Sequence, residues 1–150
     1  MRFWDASAVV PLCVEEVSSQ TMLDMLATDS DMAVWWGTPV ETASALARLR
    51  RMGGIGVTEE HAARDLIVAY RGMWTEMQPS FALREQAVRL LSVHDLRAAD
   101  SLQLAAMVAW AGESREGRQL VCLDGRLSEA ARREGFRVLP DGEHALPPSS

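Results

Sequence analysis

Four acidic residues occupy positions where a carboxylate could do more than solvate a surface. Asp5 follows the short run Arg2-Phe3-Trp4, Glu41 closes Thr38-Pro39-Val40-Glu41, Asp100 lies inside Arg97-Ala98-Ala99-Asp100-Ser101-Leu102-Gln103-Leu104-Ala105-Ala106, and Asp124 ends Gln119-Leu120-Val121-Cys122-Leu123. Carboxylate oxygens are hard ligands that suit Mg²⁺ or Mn²⁺, ions that keep several waters and take few protein carboxylates. Gathered in one place, such residues would hold one or two ions, which can activate a water and stabilise negative charge that develops on a substrate. No side-chain nucleophile is needed, and clustered acids titrate as a group.

Each acid also has a structural reading. Asp5 suits an N-cap, Glu41 the glutamate of a capping box whose cap is Thr38, and Asp124, before Gly125, a turn. Asp100 is harder to explain this way. An unpaired aspartate near a buried alanine-leucine face is costly, while the helix dipole returns only about 0.3 to 1 kcal/mol. The coincidence of four such positions carries the metal-site reading. Ser7 could present its hydroxyl to the site or cap a helix, and Arg97 could neutralise the acids, contact phosphate or be a solvated arginine. His61 and His94 have no convergent partners and are read as surface or satisfied residues. Trp35-Trp36 suits a core or dimer contact better than a base-stacking platform.

The elements that would position these groups alternate. Short apolar stretches at 2–5, 31–36, 119–123 and 136–139 read as strands, and 7–15, 19–27 with Ser18 as cap, 38–52, 58–77 with Thr58 as cap, 79–91, 98–110 and 127–134 read as helices. This alternation implies a mainly parallel sheet with helices on both faces, an α/β class. Ligands of such sheets bind beyond the carboxyl ends of the strands, which is where Asp5, Glu41 and Asp124 fall. Residues 1–140 form the expected domain and 141–150 a polar, flexible tail.

In this order the segments Asp5-Ala6-Ser7, Thr38-Pro39-Val40-Glu41, Arg97 to Ala106 and Leu123-Asp124-Gly125-Arg126-Leu127 closely resemble PIN-domain ribonucleases, specifically VapC-type toxins of toxin-antitoxin pairs. The resemblance covers the domain. It implies a three-layer α/β/α sandwich, Mg²⁺- or Mn²⁺-dependent RNA cleavage with Asp5, Glu41, Asp100 and Asp124 at the metal site, neutralisation by a small VapB-type antitoxin, and a homodimer. No fifth acid accompanies Asp124, which leaves the number of metal ions open.

Composition narrows the alternatives. All 15 basic residues are arginine, so Schiff-base chemistry and a Walker phosphate loop are excluded. Haloacid-dehalogenase-like phosphatases and response-regulator receivers, which place acids at the same sheet edge, also need a lysine. A non-catalytic alternative is a PIN-scaffold module that binds protein or RNA with little cleavage. The net charge of −6 runs against phosphate binding unless bound cations invert it locally. Cys13 and Cys122 lack zinc-site or disulfide spacing and are expected to pack as small hydrophobes. An acidic residue at position 5, where a signal peptide needs its apolar run, and the lack of a membrane-length apolar stretch lead to a cytoplasmic expectation.

Overall fold

Alternating side chains on very short strands sort the apolar residues into two cores. The computed structural model describes residues 1–142. Strands β1 (Arg2–Trp4), β2 (Met32–Trp35), β3 (Thr75–Met77), β4 (Gln119–Val121) and β5 (Arg137–Leu139) form one sheet in the order β3-β2-β1-β4-β5, parallel throughout. Phe3, Ala33, Trp35, Leu120 and Cys122 face one side, where they meet helices α5 (Phe81–Val93), α6 (Ala98–Ala111) and α7 (Gly125–Arg133). Trp4, Met32, Val34, Val121 and Leu123 face the other, against α1 (Ala6–Cys13), α2 (Ser19–Thr28), α3 (Thr38–Arg51) and α4 (Val57–Arg71). The result is the three-layer α/β/α sandwich with a parallel sheet that the sequence implies. Strands covered on both faces carry continuous apolar runs for this reason.

Several elements differ from expectation. Residues 75–77 form an edge strand, not the end of a helix: α4 stops at Arg71, and Thr75 to Met77 pair with Ala33 to Trp35. This strand is only three residues long and partly exposed, so it lacks the apolar run that marks its neighbours. The α4 cap is Gly56, not Thr58. Ser18 stands at the N-cap of α2 without a side-chain bond, and Ser19 Oγ instead accepts from the Glu16 N–H at 2.8 Å. β2 ends at Trp35, and only that tryptophan joins the core; Trp36 is 51% exposed. Of the tail proposed at 141–150, residues 143–150 lie outside the described residues. No helix among the described residues is long and apolar enough to cross a membrane.

Candidate active site

Two strand ends set the position of the site. β2 and β3 extend to one side of β1, and β4 and β5 to the other, so the winding direction reverses between β1 and β4. At such a reversal the connections diverge and leave a crevice beyond the carboxyl ends. Asp5 follows β1 directly, its N–H bonded to the Val121 carbonyl at 3.0 Å, and Asp124 lies three residues beyond β4. Both also cap helices. Asp5 accepts from the Ser7 N–H at 3.1 Å, and Asp124 from the Leu127 N–H at 2.9 Å.

Glu41 and Asp100 complete the group from two further helices. The expected capping box does not form: Gly37, not Thr38, is the N-cap of α3, and no side-chain cap bond is present. Glu41 Oε2 instead accepts from Gln103 Nε2 of α6. Its carboxylate is thereby turned toward the acids and away from its own backbone. In the first turn of α6, Asp100 accepts a long bond, 3.4 Å, from the Arg97 N–H. Glu41, Asp100, Asp124, Arg48, Arg97 and Arg126 line one open cleft of about 440 Å³; Asp5, 7% exposed, is not in its lining but is close enough for its charge to act on Glu41 and Asp100.

The electrostatics tie the four acids together. Burial is the largest cause at each of the three acids whose affinity for a proton changes, and neighbouring carboxylates add to it. Burial and the charge of Asp5 push Glu41 up to about 7, despite the Gln103 bond, with Asp100 adding to the rise. Burial and Asp124 raise Asp100 to about 6, with a smaller contribution from Asp5 and an opposing one from Arg97. Burial raises Asp5 against hydrogen bonds from Ser7, and Asp124 raises it further. Like charges held close raise one another's proton affinity, and a cation bound among them would relieve the repulsion.

Donor type and charge therefore fit a hard divalent ion. Among the described residues no group of three acidic, histidine or cysteine side chains is preset to grip an ion.

Sequence reasoning named Ser7 and Arg97 beside the acids and missed Arg48, Gln103, Cys122 and Arg126. Ser7 does not cap its helix with its hydroxyl; Ser7 Oγ accepts from the Leu123 N–H at 2.9 Å and ties α1 to the strand end that carries Asp124. Cys122 is more than core filler, because its single S–H can donate weakly either to Asp5 Oδ2 at 3.7 Å or to the Asp124 carbonyl at 3.5 Å. Gln103 had a legible signal: it is the one amide in an alanine-leucine stretch, one helical turn after Asp100. Arg97 lines the cleft, as do Arg48 and Arg126. His94 is far from partnerless. Its Nε2 meets Glu134 Oε2 at 3.0 Å, and Arg115 Nη1 holds the other oxygen at 3.1 Å, a brace outside the cleft. His61 is exposed.

No family model and no curated protein matches the sequence. Solved structures do match the fold. The chain is similar to VapC20 of Mycobacterium tuberculosis, described as a sarcin-ricin loop cleaving toxin, with a TM-score of 0.67 and 20% identity over 91% of this chain and 96% of that one. It is also similar to FitAcB of Neisseria gonorrhoeae, with a TM-score of 0.65 and 12% identity over 93% and 97%. VapBC2 of Rickettsia felis, bound to a DNA fragment from its promoter, gives a TM-score of 0.58 and 12% identity over 91% and 96%. The fold is the PIN-domain fold of VapC-type toxins.

Proposed function

We propose that this protein is a divalent-metal-dependent endoribonuclease and the toxin of a toxin-antitoxin pair. The observation that carries the reading is the convergence of Glu41, Asp100 and Asp124, from three separate elements, on one cleft, with buried Asp5 close enough for its charge to raise the proton affinity of Glu41 and Asp100. Among the matched folds, VapC20 is described as a toxin that cleaves the sarcin-ricin loop, which supports RNA as the substrate class here. Asp5, Glu41, Asp100 and Asp124 would hold Mg²⁺ or Mn²⁺, which supplies a lowered water pKa and charge neutralisation at a phosphodiester.

The chain's own residues supply the rest. Buried Asp5 adds negative charge beside Glu41 and Asp100, Gln103 and Ser7 fix the elements that carry Glu41 and Asp124, and Arg97, Arg48 and Arg126 in the cleft lining would meet phosphate. The arginines that form salt bridges among the described residues, Arg50, Arg64, Arg115, Arg133 and Arg137, are other ones. Three cleft arginines without such pairing offset the net charge of −6 where a phosphate backbone would pass. A VapB-type antitoxin would present a basic segment to the same acids. Exposed apolar residues on and beside α5, including Trp36, Phe81 and Val88, would be covered in a homodimer. The setting would be the cytoplasm.

The test is incubation of purified protein with RNA and Mg²⁺ or Mn²⁺, with EDTA as control. Cleavage with metal and none in EDTA is expected; undiminished cleavage in EDTA rejects the metal-dependent reading. Tight RNA binding with no cleavage under either condition supports the binding module instead.

A further inference from the structure

A buried amide joins the two helices that bring Glu41 and Asp100 to the cleft. Gln103 is 2% exposed. Its Nε2 donates to Glu41 Oε2 and to Thr38 Oγ1 at 3.3 Å, while its Oε1 is buried and has no hydrogen-bond partner among the described residues. Around it, α3 turns threonines inward: Thr38 and Thr42 are fully buried, and Thr42 Oγ1 donates to the Thr38 carbonyl at 2.8 Å. A polar strip therefore crosses an otherwise apolar interface and ends at the carboxylate of Glu41.

Packing alone does not account for this side chain. A methionine or leucine would fill a similar volume and leave no orphaned oxygen, and an unsatisfied buried carbonyl is a net cost. The NH₂ group supplies what an apolar residue cannot, two donors from one rigid plane. One rests on Thr38, which fixes the plane, and the other holds one oxygen of Glu41, which fixes the direction of the carboxylate. Gln103 and Asp100 are one turn apart on α6, so the amide also couples the placement of Glu41 on α3 to that of Asp100. We infer that Gln103 is a positioning residue for the cleft: it acts through Glu41 and sets the carboxylate geometry on which metal affinity depends.

This inference rests on the metal-dependent reading for its consequence, and on the hydrogen bond alone for its mechanism. The test is a double-mutant cycle of Gln103→Met and Glu41→Ala, reading Mn²⁺ affinity by titration and the melting temperature of the metal-free proteins. Partners that orient metal ligands typically contribute 10- to 100-fold in affinity. Gln103→Met is therefore expected to weaken Mn²⁺ binding about tenfold, and to add little in the Glu41→Ala background. An unchanged affinity, or an equal loss in both backgrounds, overturns the inference. The second measurement needs no metal and no folded Gln103 variant. In the parent, the Gln103 side-chain amide protons should be protected from solvent exchange, and in Glu41→Ala the resonance should move and the protection should fall. A resonance indifferent to Glu41→Ala overturns the positioning role. A parent that binds no Mn²⁺ but shows this amide response rejects the metal-dependent reading and leaves the positioning role standing.

Discussion

At the scale of single residues, the question for each acid is whether an amide can replace it. A cap needs only an acceptor, so Asp5→Asn and Glu41→Gln should retain whatever capping those positions provide, but a site that neutralises cations needs the charge. Asp100→Asn is expected to leave the metal-free protein as stable as the parent or slightly more so, because it removes one of several mutually repelling carboxylates. With metal at a hundredfold excess over its dissociation constant the parent should gain about 2.7 kcal/mol by linkage, and each amide variant should lose most of that gain. Identical metal-induced melting shifts in all four proteins would reject these acids as ligands. The pH dependence follows from the same groups. Glu41 ordinarily titrates near 4.5 and in the fold near 7, so the folded chain binds its proton more tightly than the unfolded one. That stability is fully present below 4.5 and is lost as pH rises through about 7, with Asp100 acting likewise between 3.8 and about 6. Metal-free protein should therefore melt lower at pH 8 than at pH 5. Glu41→Gln should flatten this fall, and a fall of undiminished size in that variant would contradict the shift.

At the scale of elements, Asp124 has two roles that can be separated. Its Oδ1 holds the Leu127 N–H and starts α7, whose Leu127, Ala130 and Ala131 complete the core under β5. Asp124→Asn should keep the cap and lose cleavage, whereas Asp124→Ala should lose cleavage and about 1 kcal/mol of stability as well. Equal melting temperatures for the two variants would mean that the cap contributes nothing. Gly37, at the turn into α3, is constrained by contact and not by conformation, since a Cβ there would stand 2.5 Å from Trp35 Nε1. Gly37→Ala should cost about 1 to 3 kcal/mol as an overpacked site, measured by urea unfolding. Elements of this kind were legible where hydrophobicity decides them: β1, β2, β4 and β5 are apolar because both faces are covered. β3 was hidden because an edge strand of three partly exposed residues carries no such signal. The cap of α3 was misread for a different reason. Thr38 and Glu41 have the spacing of a capping box, but the buried Gln103 on a distant helix offers Glu41 a better partner, and no local pattern contains that.

At the scale of the molecule, the acids were legible because each sits next to an element boundary, where spacing and composition are read most directly. Much of their surroundings was not, since Arg48 and Arg126 line the cleft, and Cys122 meets Asp5, only through the sheet order and the helix packing. The overall charge is misleading for the same reason: a sum of −6 says nothing of where the unpaired arginines stand. If Arg48, Arg97 and Arg126 meet an RNA backbone, binding must release counterions despite the acidic chain. The measurement is RNA affinity as a function of salt, made in the Asp100→Asn background so that cleavage does not intervene. For single-stranded nucleic acid each neutralised phosphate contributes about 0.7 to the slope of log affinity against log salt. Replacing Arg48, Arg97 or Arg126 by glutamine should lower the slope by about that amount for each residue in contact, and should weaken binding to unrelated RNAs alike. Arg133→Gln, whose arginine is paired with Glu129 at 2.8 Å, should leave the slope in place. Equal slopes in all four arginine variants would place the RNA backbone outside the cleft and would separate the acids from the substrate they are proposed to cut.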